Sequence, residues 1–162
     1  MIKTHLRDYI DHLRLFSRNA RLFLTASFFM GFGSSVFWLL LNLYLKQLGF
    51  HEGKIGSIIS ASSIGTVLVV VPAAILVDHV RVKQVLMLAA TITAFSGMGM
   101  AMSTEADSMR ILYGITGAMG AVFMVAGSPF FMRNSSPKER PYLFGVNMAL
   151  NTISGFIGSL AG

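Results

Sequence analysis

Ile55–Val77 reads IGSIISASSIGTVLVVVPAAILV, a run without a single Asp, Glu, Lys or Arg, and it decides the fold. At about 1.5 Å of rise per residue, a helix of this length covers roughly 34 Å, enough to cross a hydrocarbon core with modest tilt. Lipid offers the backbone no hydrogen bonds, so a spanning segment must be a helix or part of a closed barrel. The run is far longer than the roughly ten alternating residues of a barrel strand, which leaves the helix.

Working outward, the same charge-free character recurs in Leu22–Leu45, Gln84–Thr104, Ile111–Met132 and Tyr142–Gly162. Of the 162 residues, 54% are hydrophobic and 12% charged, and the mean hydropathy is +0.66, outside the balance of a soluble domain. No single soluble core of this size hides five such runs. The expected fold is therefore an all-α membrane protein of five transmembrane helices. Residues 1–21 precede the bundle, and 22–162 form it as spans of about 22–45, 55–77, 84–104, 111–132 and 142–162. The connections are short, so successive spans run antiparallel.

The formal charge of +6 and pI of about 10.1 raise the question of nucleic acid. Basic residues beside apolar spans instead suit an anionic cytoplasmic leaflet, so the expected partner is the lipid bilayer and not nucleic acid. Cysteine is absent, which excludes disulfides and thiolate metal sites and leaves the redox compartment open. His5, His12, His51 and His79 stand at no ligand-like spacing, and neither a metal nor a cofactor is expected. The first twenty residues are charged throughout and carry no signal-peptide pattern.

Orientation follows from the basic residues. Lys3, Arg7, Arg14, Arg18 and Arg21 precede the first span, Arg81 and Lys83 join the second to the third, and Arg133, Lys138 and Arg140 join the fourth to the fifth. Lys46, Lys54 and Arg110 fall on the other side. This asymmetry puts the N-terminus in the cytoplasm of a multi-pass cell-membrane protein. Trp38 and Tyr44 fit an interfacial aromatic belt near the outer end of the first span. In Met1–Asn19, the helical spacing of Ile2, Leu6, Tyr9, Ile10, Leu13 and Phe16 reads either as an amphipathic helix on the cytoplasmic face or as a flank that only orients the first span.

The connection Ala74-Ile75-Leu76-Val77-Asp78-His79-Val80-Arg81-Val82-Lys83 sets a carboxylate just before basic groups between two spans. It reads as an ordinary solvated turn whose charges enforce topology, or as a charged latch that pairs with a neighbouring helix end and releases. The segment resembles the loop between helices two and three of the major facilitator superfamily, Gly-x-Leu-Ala-Asp-Arg-x-Gly-Arg-Lys. Leu76, Asp78 and Lys83 match, Val77 and His79 are near substitutes, and Ala74, Arg81 and Val82 depart. The approach Leu48–Gly56, with its Ile55-Gly56 pair, is similar to the start of that family's second helix. Arg110, Gly114 and Ala118 resemble the Arg-x-x-Gln-Gly-x-Gly-Ala-Ala element of its fourth, from which Tyr113, Thr116 and Gly117 differ. Pro129–Arg140 looks like its basic loop between helices four and five.

The resemblance covers roughly residues 22–162. It implies the first five helices of a twelve-helix carrier built from two six-helix halves, with inverted three-helix repeats in each and substrate bound between them. It also implies a latch role for Asp78, His79, Arg81 and Lys83, joined by Arg133. On that reading the chain is an N-terminal fragment of a secondary transporter moving a small solute by alternating access. Its partners would be the remaining helices and the solute, and alone it would not transport. The tyrosine at 142 opens a fifth span without proline, unlike the Gly-Pro pair of the family's drug antiporters.

Arg110 lies close to Glu105 and Asp107 and reads either as a snorkelling interfacial pair or as a proton-handling group. No Asp, Glu, Lys, Arg or His lies in the interior of any span, so a coupling residue is expected outside this chain. The polar groups at depth are Ser34, Ser35, Asn147, Asn151 and Thr152. Asn147 and Asn151, one turn apart, suit either a substrate cavity or helix–helix hydrogen bonding. Most of the glycines inside spans read as packing faces. No His-Glu-x-x-His, Gly-x-Ser-x-Gly or paired-carboxylate pattern supports a membrane enzyme. A non-transporting scaffold or partner subunit remains the alternative.

The basic asymmetry yields a direct test in this cysteine-free background. On intact cells an impermeant thiol reagent should label Glu52→Cys and spare Lys138→Cys; the reverse pattern would contradict the orientation.

Overall fold

Helix signals sit at the edges of the apolar runs as well as within them. The structure is a computed structural model that describes residues 16–161. Its helices are α1 (Arg18–Gln47), α2 (Glu52–His79), α3 (Val82–Met102), α4 (Ala106–Arg133) and α5 (Arg140–Ala161). All five are long and apolar enough to cross a membrane, and no strand occurs among the described residues. The expectation for residues 1–15 lies outside the described residues.

The ends of the helices explain themselves chemically. Gly49, at φ +76, closes α1: the Phe50 N–H reaches the Leu45 carbonyl (3.2 Å) and the Gly49 N–H the Lys46 carbonyl (3.0 Å). That is the paired-bond C-cap that a left-handed glycine permits. His51 then caps α2, its Nδ1 accepting the Lys54 N–H at 3.2 Å, and Glu52 complements the positive helix end. Pro72 and Pro129 each remove one backbone donor within α2 and α4.

Two compact units emerge. In the unit comprising residues 44–130, α2 and α4 meet backbone to backbone. A Cβ on Gly117 would collide with the Ser62 carbonyl, and one on Gly65 with the Gly114 carbonyl. The Thr66 hydroxyl lies 3.0 Å from both the Ser62 and Gly117 carbonyl oxygens. Contacts run from Ser57 with Arg110 to Thr66 with Gly117, residue numbers rising together, so the two helices are parallel. Between α3 and α4, the buried Ser96 hydroxyl donates to the Leu112 carbonyl and lies 3.2 Å from Thr116 Oγ1. Tyr44 donates to the Ser103 carbonyl at 3.0 Å.

In the other unit, residues up to 43 and from 131 onward, α1 and α5 make the corresponding parallel pair. Gly31 lies against Ser154 and Asn151, and Gly158 against Phe32 and Ser35. Ser154 is fully buried, its hydroxyl donating to the Asn151 carbonyl at 3.0 Å. Phe131 is packed edge-on against Phe23 and Phe144, with ring centroids 4.7 and 5.2 Å apart. Many large apolar side chains stay exposed, including Val67 at 72% exposure and Met148 at 76%, as suits contact with lipid or further protein.

A methyl group is enough to test the α2–α4 crossing. Gly117→Ala should lower stability in mild detergent by about 1–3 kcal/mol through overpacking. Gly97→Ala, where nothing lies within 4 Å, should leave the unfolding midpoint unchanged or slightly raised.

Candidate functional site

The polar side chains of the apolar helices fall into separate groups. In the unit holding α1 and α5, Ser34, Ser35, Trp38 and Asn42 of α1 line an open cavity of about 670 Å³ together with Ser159 of α5. Ser34 and Ser35 were singled out by the sequence; Trp38, Asn42 and Ser159 become visible as lining groups only when the helices are built. The spacing of 34, 35, 38 and 42 is that of one helix face, the signal through which they could have been found. Asn42 Nδ2 donates to the Trp38 carbonyl at 3.0 Å, which leaves its side-chain oxygen as an acceptor.

Asn147 and Asn151 do not line that cavity. The Asn151 amide donates along its own helix to the Asn147 carbonyl at 2.9 Å, with Asn147 Oδ1 3.4 Å away. Asn151 also approaches Gly31 of α1 at the helix pair described above. Thr152 likewise donates to the Met148 carbonyl of its own helix, at 3.0 Å.

In the other unit, Arg110 spans two helices. Its Nε and Nη2 lie 3.0 and 2.9 Å from the Ser57 hydroxyl of α2, and its Nη1 pairs with Asp107 one turn earlier on α4. Ser57 in turn donates to the Lys54 carbonyl at 2.7 Å, so the hydroxyl accepts from the guanidinium and satisfies a carbonyl of its own helix. Sequence proximity pointed to Asp107; Ser57 was missed, because its role depends on the α2–α4 register.

Asp78, His79, Arg81 and Lys83 gather at the opposite end of α2. Asp78 and His79 close that helix, Arg81 is the N-cap of α3 without a side-chain cap bond, and Lys83 stands in the first turn of α3. All four are exposed. His79 Nδ1 is bound to the Ile75 carbonyl at 2.8 Å, whereas Asp78, Arg81 and Lys83 make no ion pair among the described residues. Their signs oppose local helix energetics: a carboxylate at a helix C-terminus and a cation at an N-terminus each meet a like partial charge, costing about 0.3–1 kcal/mol. Helix stability therefore does not account for them. Arg133, the last residue of α4, is exposed and carries the sign its helix end favours.

No group of His, Cys, Asp and Glu among the described residues could hold a metal ion. The family model described as Major Facilitator Superfamily matches residues 23–162. No curated protein and no solved structure matches the chain. Five spanning helices, a charged turn after the second and this match over nearly the whole length place the chain in a family of transporters: it belongs to the major facilitator superfamily.

Proposed function

We propose that these five helices act within the first half of a secondary carrier that moves a small uncharged solute by alternating access, with the Asp78 turn as a latch on its cytoplasmic side. The observation that carries the latch is the set of exposed charges at Asp78, Arg81 and Lys83, placed against their helix dipoles without an ion pair among the described residues. Such charges suit a contact made in one conformational state and released in another, which biases the equilibrium between them.

The cavity on α1 and α5 supports an uncharged solute. Hydroxyls at Ser34, Ser35 and Ser159, an amide at Asn42 and an indole at Trp38 offer hydrogen bonds and an apolar face, and the lining holds no charge. An ionic solute would lose its hydration there without a counter-charge. On this reading Asn151 serves the α1–α5 pair and Asn147 accepts from it within α5. The contacts of Arg110 with Ser57 and Asp107 support its role as a fastening between α2 and α4.

In the intact carrier, Asp78→Asn should insert at normal abundance while transport falls about five- to tenfold, the range of a modest coupling energy. Normal flux at normal abundance would reduce Asp78 to a topological residue. A panel of uncharged solutes supplied to cells expressing the protein should include one whose flux Asn42→Ala weakens roughly fivefold, the worth of one hydrogen bond. Absence of flux for every solute would favour a scaffold.

A further inference from the structure

We propose that the junction of the α1 start with the α4–α5 connection binds the phosphate headgroup of an anionic phospholipid, whose tails lie along Leu22, Met132 and Phe144. The proposal rests on the membrane reading of the helices and is independent of orientation and transport.

Asn134 holds the junction together. Its carbonyl accepts from the Ser17 hydroxyl at 2.8 Å, and its side-chain oxygen accepts from the Asn19 amide at 2.9 Å. Arg18 lies between those two donors in the chain and Arg133 directly precedes Asn134, so these bonds set the two arginine positions at the same junction. Lys138 adds a third from the connection itself, and Arg140 a fourth at the start of α5. Arg18, Arg133 and Lys138 are exposed and have no hydrogen-bond or carboxylate partner among the described residues. Arg140 donates through Nη2 to the Met132 carbonyl at 3.2 Å, while its Nε is buried without a partner. The nearby acid, Glu139, accepts the Ser136 N–H at 3.0 Å. Arg21 is engaged with the Phe16 carbonyl at 3.0 Å and is not counted.

Four cations against one carboxylate make this end of the unit strongly positive, which an anion bound among them would neutralise. Guanidinium groups match phosphate oxygens in a planar two-point geometry, which suits a phosphate better than a simple halide. The apolar surroundings then choose between a free anion and a lipid. Leu22 follows Arg18 by four residues and Phe144 follows Arg140 by four, so each lies one turn deeper on the same helix face as its arginine. Leu22 and Met132 are more than half exposed, and Phe144 is 38% exposed over the packed Phe23–Phe131–Phe144 rings. A headgroup beside the cations with acyl chains on these residues satisfies both halves of the surface; a free phosphate satisfies one.

The test uses the full chain in nanodiscs of phosphatidylcholine containing a minor fraction of phosphatidylglycerol, identical in both leaflets so that orientation cannot matter. Lipid retained by the purified protein is counted by native mass spectrometry. The wild type should retain phosphatidylglycerol preferentially. Arg18→Gln, Arg133→Gln and Lys138→Gln combined should lose that preference, by roughly fivefold for each charge removed. The Lys46→Gln/Lys54→Gln pair, at the far helix ends, should keep it. Single changes Arg18→Gln and Lys138→Gln, both on exposed positions, give the same reading should the triple variant fail to fold. Preference retained in the folded variants, or lost equally in the Lys46/Lys54 pair, would overturn the site. Displacement of the lipid by soluble glycerol phosphate at equal concentration would overturn its assignment to a membrane lipid. Loss of transport elsewhere in the molecule leaves all these outcomes unchanged.

Discussion

The close approach of α2 and α4 at Gly65, Gly114 and Gly117 is the constraint on which the larger unit depends. In lipid the hydrophobic effect does not drive helices together, because acyl chains are as apolar as Leu or Val. What remains is van der Waals contact and hydrogen bonding, and both need backbones close enough for small residues to matter. With no Cβ at Gly117, the Ser62 carbonyl comes to the helix surface and Thr66 reaches a carbonyl of each helix. That register, carried toward the start of both helices, sets Ser57 opposite Arg110. A partly buried guanidinium at that position would be costly without the hydroxyl and Asp107 together. The packing and the polar contact are therefore one arrangement, and the smaller α1–α5 pair repeats it with Gly31, Ser154, Ser35 and Gly158.

Much of this was legible in the sequence. Charge-free runs such as Ile55–Val77 fix helices because lipid leaves the backbone no alternative, and that argument needs no knowledge of neighbours. The helices continue into charged turns, with Glu52 and Lys54 beginning α2 and Asp78 and His79 ending it, because hydrogen bonding persists where apolarity stops. Glycine faces were readable as packing surfaces, but not which helix each one meets. Short connections point only to neighbours in sequence; the closest backbone contacts within each unit instead join parallel, non-successive helices, which no local window contains.

The same limit separates the site residues. Ser34 and Ser35 stand out as hydroxyls in an apolar span, whereas Trp38 resembles an interfacial anchor and Asn42 a helix-end residue until the cavity joins them. Asn147 and Asn151 stood out for their polarity at depth, and the Asn151 amide donates along α5 to the Asn147 carbonyl while its side-chain oxygen lies beside Gly31. Polarity in a span marks a residue that must find a partner. It does not distinguish a partner on its own helix from a ligand.

The two ends of α2 differ in a way that bears on movement. At its start, Ser57 is fastened to Arg110 of α4, and the first turn is capped by His51 and complemented by Glu52. At its finish, Asp78 stands against the helix dipole, and the cations Arg81 and Lys83 stand against that of α3. One end has its electrostatics satisfied within the unit. At the other, Asp78, Arg81 and Lys83 are exposed and make no ion pair among the described residues. Between the two ends, the glycine crossing packs α2 and α4 backbone to backbone, which favours their moving as one body. On the proposed orientation the fastened end faces outward and the Asp78 turn faces the cytoplasm, and on the proposed latch the second and fourth helices, joined by the glycine crossing, would move together.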